Sequence, residues 1–361
     1  MITASSTPQD GARSTADQAT GPLLELAANE NPLGMPSGAR EAAAAALAGS
    51  DRYPDPTGAR LRAVLAQRLG VAPDWLTLGS GSSEILTLTA QALVSPGQAI
   101  VSSQYGFVVY GQAATLVHAR HVQVPAGADF GHDLAAMRAA IDGQTRLVYI
   151  ANPNNPTGNL IDPAQLLDFV AHLPPQVSVL LDEAYTEYLT PQQRYDSIDW
   201  VRRFPRLIVA RTFSKAYGLA GLRVGYGVAQ PALGGRLNAL RPRFNVTTPA
   251  LAAATAALED TDFLARSHAL NVAGRDQLAR GCQALGLRCP PSAGNFVMVE
   301  VGDAARVHAA MLQQGIAVSP LQAYGLPGWL RVSVGLPEQN ERVLAALAAA
   351  RPAAAARTDP A

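Results

Sequence analysis

The chain has 361 residues, of which 48% are apolar and 16% are charged, and its 28 basic side chains balance its 28 acidic ones. The length fits one large domain or two of ordinary size, and the apolar share is sufficient for a substantial core. A net charge of zero gives no electrostatic reason to expect binding to nucleic acid or to an anionic membrane. No run of apolar residues is long enough to predict a membrane-spanning helix.

The two ends of the chain are predicted to be disordered. Residues 1–21 are small and polar and lack the apolar stretch of a secretory signal, and residues 351–361 have the composition of a frayed tail. Cys282 and Cys289 are the only cysteines, and their spacing fits neither a zinc site nor a disulfide framework. We expect no bound metal, and we expect both thiols to be small apolar fillers in a protein of the reducing cytoplasm.

From about residue 58 to residue 240, apolar β-rich runs alternate with amphipathic helical stretches. Continuous hydrophobicity in several runs predicts strands buried on both faces, as in a mostly parallel α/β sheet flanked by helices. Helices are predicted at Asp133–Ile141 and at Pro163–His172, the latter after a start signal at Asp162. The predicted strands are Ala99–Ser103, Val122–Pro125, Leu147–Ala151, Val177–Leu181, Leu207–Arg211 and Val224–Val228.

After residue 245 the pattern changes to helices followed by short strands. This change predicts a smaller α+β domain, formed by residues 251–350 and completed by residues 22–44, beside a large domain of residues 45–250. The predicted elements are helices at Thr261–Leu285 and Ala304–Gln314 and strands at Asn295–Val301, Ile316–Ser319 and Trp329–Val334.

Lys215 is the only lysine in the chain, since arginine supplies the other 27 basic side chains. A lysine amine can lose its proton and attack a carbonyl, whereas guanidinium stays protonated, so Lys215 is a candidate nucleophile as well as a possible incidental surface residue. It follows a predicted buried strand, where open α/β sheets bind ligands. Hydroxyls at Thr212 and Ser214 and the guanidinium of Arg223 suit an aldehyde cofactor that carries a phosphate.

A second motif, Leu-Gly-Ser-Gly-Ser-Ser-Glu-Ile-Leu at residues 78–86, runs from a turn of small residues into an apolar helical pattern. The unpaired N–H groups and the dipole of such a helix start favour an anion, which makes Gly81, Ser82 and Ser83 candidate phosphate ligands. The motif is weak alone, because turns of this composition before helices are common.

Two further motifs follow predicted strands. Asp182 ends a hydrophobic run, where a carboxylate is costly unless a cation such as a protonated pyridine nitrogen meets it, although a strand-end Asp also commonly caps a turn. Tyr185 is three residues away.

In Asn-Pro-Asn-Asn-Pro-Thr-Gly, two Asn-Pro steps predict an extended, stiff turn from which Asn155 would donate a fixed hydrogen bond. Together the four motifs fit one ligand, pyridoxal 5′-phosphate.

At these residues the chain resembles the fold-type I pyridoxal-phosphate-dependent aminotransferases, and among them the histidinol-phosphate aminotransferases. The resemblance runs from about Leu24 to Ala348. Its motifs occur in order: Asn-Glu-Asn-Pro-Leu-Gly at 29–34, Arg-Tyr-Pro-Asp at 52–55, the Asn-Pro motif at 152–158, Asp-Glu-Ala-Tyr at 182–185, the lysine segment at 214–226, Phe-Asn-Val at 244–246 and Leu-Arg-Val-Ser-Val-Gly at 330–335.

The resemblance implies transamination between an amino donor and a 2-oxo acid, with histidinol phosphate and 2-oxoglutarate as the expected pair. Lys215 would form the Schiff base with the cofactor and transfer the proton. Asp182 would pair with the pyridine nitrogen, and Asn155 and Tyr185 with the cofactor's phenolic oxygen. The phosphate would lie against Gly81, Ser82, Ser83, Thr212, Ser214 and Arg223.

The resemblance also implies roles outside these motifs. Tyr105 would stack on the pyridine ring, and Tyr53 would reach the cofactor phosphate of a second subunit, which requires a homodimer with shared active sites. Arg331 would bind an anionic group of the substrate, and Asn29 would line the entrance to the site.

Two positions depart from the family pattern. Ser83 stands where the family usually has aspartate, a change that backbone N–H binding of phosphate should tolerate. Ser319 stands where the family commonly has an arginine that reads the substrate phosphate. Loss of one charge-assisted contact costs about 1.5–3 kcal/mol, or roughly tenfold to over a hundredfold in affinity. Arg241 and Arg243 are the candidates for compensation.

Four alternatives to this function follow from the same residues. Ser319 favours an aromatic amino-acid aminotransferase of the same family. An amino-acid phosphate decarboxylase of the same fold fits the lysine segment less well. A non-catalytic binding protein of this fold would not need the intact lysine. A nucleotide-binding α/β protein would need a Gly-x-Gly-x-x-Gly or P-loop motif after a strand, and neither is present.

Overall fold

The computed structural model describes residues 23–350, so the predicted disordered ends at 1–21 and 351–361 lie outside the described residues. The α-helices are α1 (Ser37–Ala46), α2 (Ala59–Leu69), α3 (Ser82–Leu93), α4 (Val109–Leu116), α5 (Leu134–Ala139), α6 (Pro163–Ala171), α7 (Ser197–Arg203), α8 (Pro231–Leu240), α9 (Thr248–Glu259), α10 (Thr261–Ala284), α11 (Ala304–Gln313) and α12 (Pro337–Ala350). Within residues 23–350, no helix has the length and apolar character needed to cross a membrane.

The strands comprise one large set in the first two thirds of the chain and short segments elsewhere. They are β1 (Leu24–Glu25), β2 (Leu76–Gly79), β3 (Ala99–Ser103), β4 (Arg120–Val124), β5 (Thr145–Ala151), β6 (Ser178–Asp182), β7 (Leu207–Thr212), β8 (Gly225–Val228), β9 (Phe296–Glu300), β10 (Ile316–Ala317), β11 (Ser319–Pro320) and β12 (Trp329–Ser333).

The larger unit contains a seven-stranded sheet in the order β2-β8-β7-β6-β5-β3-β4. Strands β7, β6, β5, β3 and β4 pair in parallel, and β8 is antiparallel to both of its neighbours. The mostly parallel α/β sheet expected from the sequence is therefore confirmed. Strand β2 was not predicted, because its four residues run directly into the Gly/Ser turn and are too short to show a pattern.

Helices cover both faces of this sheet. In β5, Val148 and Ile150 pack into one hydrophobic cluster, while Leu147 and Tyr149 pack into another. All four side chains are fully buried. A strand whose alternate residues meet two separate cores must be apolar throughout, which is the physical reason for the continuous apolar runs in the sequence.

The helix start expected at Asp162 is present. Its carboxylate accepts hydrogen bonds from the backbone N–H groups of Ala164 and Gln165 at 3.0 and 3.1 Å, and Pro163 occupies the first helical position. This combination satisfies orphan N–H groups at the start of α6.

The chain divides into two compact units at boundaries that differ from the expected ones. The larger unit is Glu30–Leu270 with Ser292–Asn295, and the smaller unit holds the described residues up to Asn29, Asn271–Pro291 and those from Phe296 onward. The sequence led us to expect a large domain of 45–250. Residues 30–44 belong to the larger unit because α1 packs along α9 there. Helix α10 runs through the division at residue 270.

The smaller unit has its own sheet and core. Its antiparallel strands lie in the order β11-β12-β9, and β1 pairs in parallel with β10. Fully buried Leu278, Val299, Met311, Leu330 and Val343 belong to one hydrophobic cluster of this unit. The predicted α+β character of this region matches these elements.

Candidate active site

The predicted site residues of the larger unit follow the ends of neighbouring strands. Asp182 is the last residue of β6, and the Asn-Pro motif comes directly after β5. The segment from Thr212 to Lys215 begins at the end of β7. Because β5, β6 and β7 are parallel, their carboxyl ends lie at one edge of the sheet. Strand β3 ends at the same edge, two residues before Tyr105.

The Asp182 carboxylate is buried and only partly satisfied. Its Oδ2 atom accepts a hydrogen bond from the Tyr110 hydroxyl at 3.1 Å, while its buried Oδ1 atom has no hydrogen-bond partner within residues 23–350. Burial raises the pKa of the Asp182 carboxyl to about 6, although hydrogen bonds from the Tyr110 hydroxyl and the Ala184 backbone N–H and the charge of Lys215 oppose that shift. A cationic N–H donor placed at Oδ1 would satisfy the carboxylate and favour its ionised form.

Hydrogen bonds to the hydroxyl groups of Thr212 and Ser214 order the segment that leads to Lys215. The Thr212 Oγ1 atom accepts from the Ser214 backbone N–H at 3.1 Å and lies 3.0 Å from the Ser214 hydroxyl. Arg223 donates from Nη1 to that hydroxyl at 3.0 Å. Both hydroxyl residues are buried, whereas Lys215 is half-buried. Lys215 therefore directly follows a hydroxyl residue that Arg223 contacts, beside groups that are able to bind an anion.

The turn before α3 approaches Arg223 closely. Gly81 has φ +76° and ψ 168°, a backbone conformation essentially limited to glycine, and a Cβ at this position would displace the Arg223 guanidinium. Ser82 and Ser83 open α3, where the first N–H groups have no intrahelical acceptor. Arg223 itself has φ +54° in the connection to β8. Gly81, Ser214 and Arg223 therefore lie together beside the start of α3, and donors of this kind are able to bind an anion.

The Asn-Pro motif lies against Tyr105. Asn154 donates to the Tyr105 carbonyl oxygen at 3.0 Å and to the Thr157 hydroxyl at 2.8 Å, and Asn155 is 8% exposed. Both Asn-Pro peptide bonds are cis. The half-buried Tyr105 ring is tilted at 51° to the Phe130 ring, with 5.9 Å between their centroids. The motif is thus an ordered turn at the strand edge that also bears Asp182.

Tyr185 and Tyr53 have very different surroundings. Tyr185 is buried just after Asp182, and its carbonyl oxygen accepts from the Tyr188 N–H at 3.0 Å. Tyr53 is 82% exposed and stacks on Phe244 with 4.6 Å between ring centroids. Phe244 has φ +62°, a left-handed conformation that is rare for an aromatic residue. The surface aromatic pair is therefore held by an unusual backbone conformation.

Asn29 and Arg331 belong to the smaller unit. Asn29 exchanges hydrogen bonds with Ser333, whose hydroxyl accepts from the Asn29 N–H at 2.8 Å. Arg331 donates from Nη2 to the Ala27 carbonyl at 2.6 Å, and its guanidinium carbon lies 5.5 Å from the centroid of the Phe296 ring. The Arg331 side chain is therefore fixed by its own unit.

Two features of the site carried no signal in the sequence. Tyr110 reaches Asp182 from α4, and its ring stacks on Tyr149 at 4.5 Å with an angle of 5°. A tyrosine in an amphipathic helix pattern is indistinguishable from an ordinary core residue. Behind the strand edge, Arg211 pairs with the fully buried Glu183 at 2.9 Å. The spacing of the two residues in the sequence does not reveal such an ion pair between a strand and a loop.

The functional groups at this edge of the sheet suit one kind of ligand. The arrangement combines the amine of Lys215, a buried carboxylate with an unused acceptor, and helix N–H groups, hydroxyls and a guanidinium of the kind that can bind an anion. No group of three or more potential metal-ligating side chains occurs within residues 23–350. A ligand with an aldehyde, a basic ring nitrogen and a phosphate would use every one of these groups.

The family of this chain follows from comparison with known proteins. The profile of the family "Aminotransferase class I and II" matches residues 22–347. The chain belongs to that family, so it is an aminotransferase that acts on an amino compound and a 2-oxo acid.

Individual relatives of this chain are named histidinol-phosphate aminotransferases. The chain is 57% identical over 332 residues to histidinol-phosphate aminotransferase 2 of Ralstonia nicotianae, covering 91% of this chain and 88% of that protein. It is 56% identical over 329 residues to histidinol-phosphate aminotransferase 1 of Cupriavidus pinatubonensis, covering 90% and 87%. The crystal structure of histidinol-phosphate aminotransferase from Sinorhizobium meliloti with pyridoxal 5′-phosphate is 29% identical, with a TM-score of 0.87 and 94% of both chains covered.

Proposed function

We propose that this protein is a pyridoxal-phosphate-dependent aminotransferase that converts L-histidinol phosphate, with 2-oxoglutarate as the amino acceptor, in histidine biosynthesis. The observation that carries the cofactor is the buried Asp182, whose Oδ1 atom lacks a partner within residues 23–350 at the sheet edge that also bears Lys215. The substrate is inferred from relatives that share more than half of their aligned residues with this chain.

Bound pyridoxal phosphate would supply a carbon to which amines attach and a protonated ring that draws electrons from the substrate Cα. Asp182 would accept the ring N–H at Oδ1 and keep the proton there. Asn155 and Tyr185 would donate to the phenolic oxygen of the cofactor. Tyr105 would stack on the ring and fix its plane.

The amine of Lys215 would take a proton from the substrate Cα and deliver it to the cofactor carbon that carried the aldehyde. Gly81, Ser82, Ser83, Thr212, Ser214 and Arg223 would hold the phosphate, which anchors the cofactor while Lys215 is free to move. Arg331 would bind an anionic group of the substrate through its fixed guanidinium, and Asn29 would line the entrance. Two half-reactions on one cofactor predict ping-pong kinetics.

The proposal includes a homodimer in which Tyr53 reaches the cofactor phosphate of the partner subunit. The high exposure of Tyr53 supports this role, because an aromatic ring fixed on the surface by Phe244 is available to a second chain. We also propose a cytoplasmic location and no nucleic-acid or membrane partner. Free thiols at Cys282 and Cys289 and the zero net charge are in keeping with both.

Ser319 favours a second candidate, an aromatic amino-acid aminotransferase, because serine lacks the positive charge with which an arginine at this position would bind the substrate phosphate. A titration of the visible absorption band of the holoenzyme separates the two functions. Loss of the band at low concentrations of L-histidinol phosphate supports the first, and loss with L-phenylalanine alone supports the second. Lys215→Ala is the control, which should show no lysine-bound band. A wild-type protein that forms no such band with added cofactor would contradict both.

A further inference from the structure

One carboxylate oxygen in the larger unit links the Gly/Ser turn before α3 to the segment that contains Asn245. Oε2 of Glu84 accepts the Ser80 backbone N–H at 2.6 Å and the Asn245 Nδ2 group at 2.6 Å. Glu84 is the third residue of α3, so its side chain reaches back over the helix start in the manner of a capping box.

The position of this carboxylate is electrostatically unfavourable for anion binding. A negative side chain in the first turn of α3 repels a phosphate that the same helix start would bind. Its structural effect is to occupy the N–H of Ser80, whereas the N–H groups of Ser82 and Ser83, which open α3, have no acceptor within the helix.

Asn245 extends the link to the surface aromatic pair. It donates to the Leu78 carbonyl at 3.2 Å as well as to Glu84, and its Oδ1 atom accepts from Arg241 Nη1 at 2.6 Å. Asn245 directly follows Phe244, whose left-handed backbone needs support from its surroundings. The same oxygen of Glu84 thus constrains both the turn and the base of the Tyr53–Phe244 stack.

We propose that Glu84 is a positioning residue that holds the phosphate-binding turn and the Tyr53–Phe244 pair in one fixed arrangement through Ser80 and Asn245. The inference rests on the proposed function, because the anion concerned is the phosphate group of the cofactor. Arg241 belongs to the same chain of hydrogen bonds, because it donates to Asn245 and also to the Pro56 carbonyl.

The test compares two ligands that differ only in the phosphate. Dissociation constants of pyridoxal phosphate and of pyridoxal are measured for the wild type, Glu84→Ala and Glu84→Gln. Asp162→Ala is the matched control, because Asp162 also caps a helix start with a carboxylate but belongs to α6. Thermal midpoints of the cofactor-free proteins are recorded in parallel.

Glu84→Ala should weaken pyridoxal phosphate binding by about tenfold to a hundredfold, the effect of one charge-assisted hydrogen bond, and leave pyridoxal binding unchanged. Glu84→Gln keeps a carbonyl oxygen for both N–H donors and removes the repelling charge, so it should bind pyridoxal phosphate at least as tightly as the wild type. Asp162→Ala should lower the thermal midpoint without changing either dissociation constant.

The inference is overturned if Glu84→Ala binds pyridoxal phosphate like the wild type, if it loses affinity for both ligands equally, or if Glu84→Gln is as weak as Glu84→Ala. A wild-type protein that binds neither ligand would refute the proposed function instead. Should Glu84→Ala fail to fold, Asn245→Ala provides the same test, since it removes one of the two donors. It should show the same phosphate-selective loss, and an equal loss for pyridoxal would overturn the inference.

Discussion

Ser319 lies directly opposite Arg331 in the antiparallel pair of β11 and β12. Residues opposite each other in such a pair have Cβ atoms about 4.5–5.5 Å apart on the same face of the sheet. An arginine at 319 would therefore place a second guanidinium beside the first. The serine leaves Arg331 as the single charge of this cross-strand pair.

Ser319→Arg should lower the KM for L-histidinol phosphate by about tenfold, because the added guanidinium provides one more charge-assisted contact to a phosphate. The same change should not improve L-phenylalanine as a donor. Steady-state kinetics with both donors measure the effect, and Ser319→Gln is the control for side-chain length without charge. Equal gains for both donors would contradict a phosphate-reading role for this face.

Lys215→Arg should abolish covalent attachment of the cofactor, since the chain has no second lysine. Borohydride reduction of the wild-type holoenzyme should label a single peptide, identified by mass spectrometry, and the variant should remain unlabelled. A second labelled peptide in the wild type would show that Lys215 does not hold the cofactor alone.

Asp182→Asn should change how the stability of the cofactor-free protein depends on pH. Burial raises the Asp182 pKa from 3.8 to about 6, so the folded state binds this proton more tightly than the unfolded state. The resulting stability is complete below about pH 4 and is lost as the pH rises through about 6, an effect of about 3 kcal/mol. Urea unfolding across this range should show the decline in the wild type and a smaller one in the variant. Identical slopes would argue against the buried carboxyl.

Tyr110→Phe should weaken cofactor binding at neutral pH by about tenfold or more, because the Asp182 carboxylate loses a hydrogen bond of roughly 1.5–3 kcal/mol. Tyr149→Phe is the control, since the Tyr149 hydroxyl donates to the Leu86 carbonyl at 2.7 Å and not to Asp182. Fluorescence titration of both variants with pyridoxal phosphate measures the difference. A larger loss for Tyr149→Phe would point to aromatic packing in place of the hydrogen bond.

Mixed dimers of Tyr53→Phe and Lys215→Ala subunits test whether Tyr53 serves the partner. If it does, each hybrid has one site with both native residues and one site with neither, so activity should exceed the mean of the two parent variants. Activity equal to that mean, measured after co-refolding and separation by affinity tags, would show that Tyr53 acts within its own chain or not at all.

The strand ends of the larger unit were predictable because parallel strands leave a pattern in the sequence. Each of β5, β6 and β7 contains a continuous apolar run, and the polar residue that ends β6, Asp182, lies at the edge where its neighbours also end. That rule placed Asn155, Asp182 and Lys215 at one edge without any knowledge of contacts.

The remaining parts depend on contacts between residues that are distant in the chain. Tyr110 meets Asp182 across 72 positions, and Asn245 meets Glu84 across 161. Neither pair has a local spacing to recognise. The assignment of α1 to the larger unit was equally hidden, because the Ala-rich pattern of α1 is the same whether the helix packs on α9 or elsewhere.

The pairing of β2 with β8 joins Leu76 to Val228, two residues that are far apart in the chain. The Gly/Ser turn proposed to hold the phosphate follows β2, and Arg223 precedes β8, so this distant pairing brings proposed phosphate ligands together. Contacts between residues so far apart in the chain form slowly during folding. A phosphate ligand that binds only the closed sheet would shift the equilibrium toward the folded chain in proportion to its concentration. Cofactor supply would then raise the folded fraction of the protein as well as its activity.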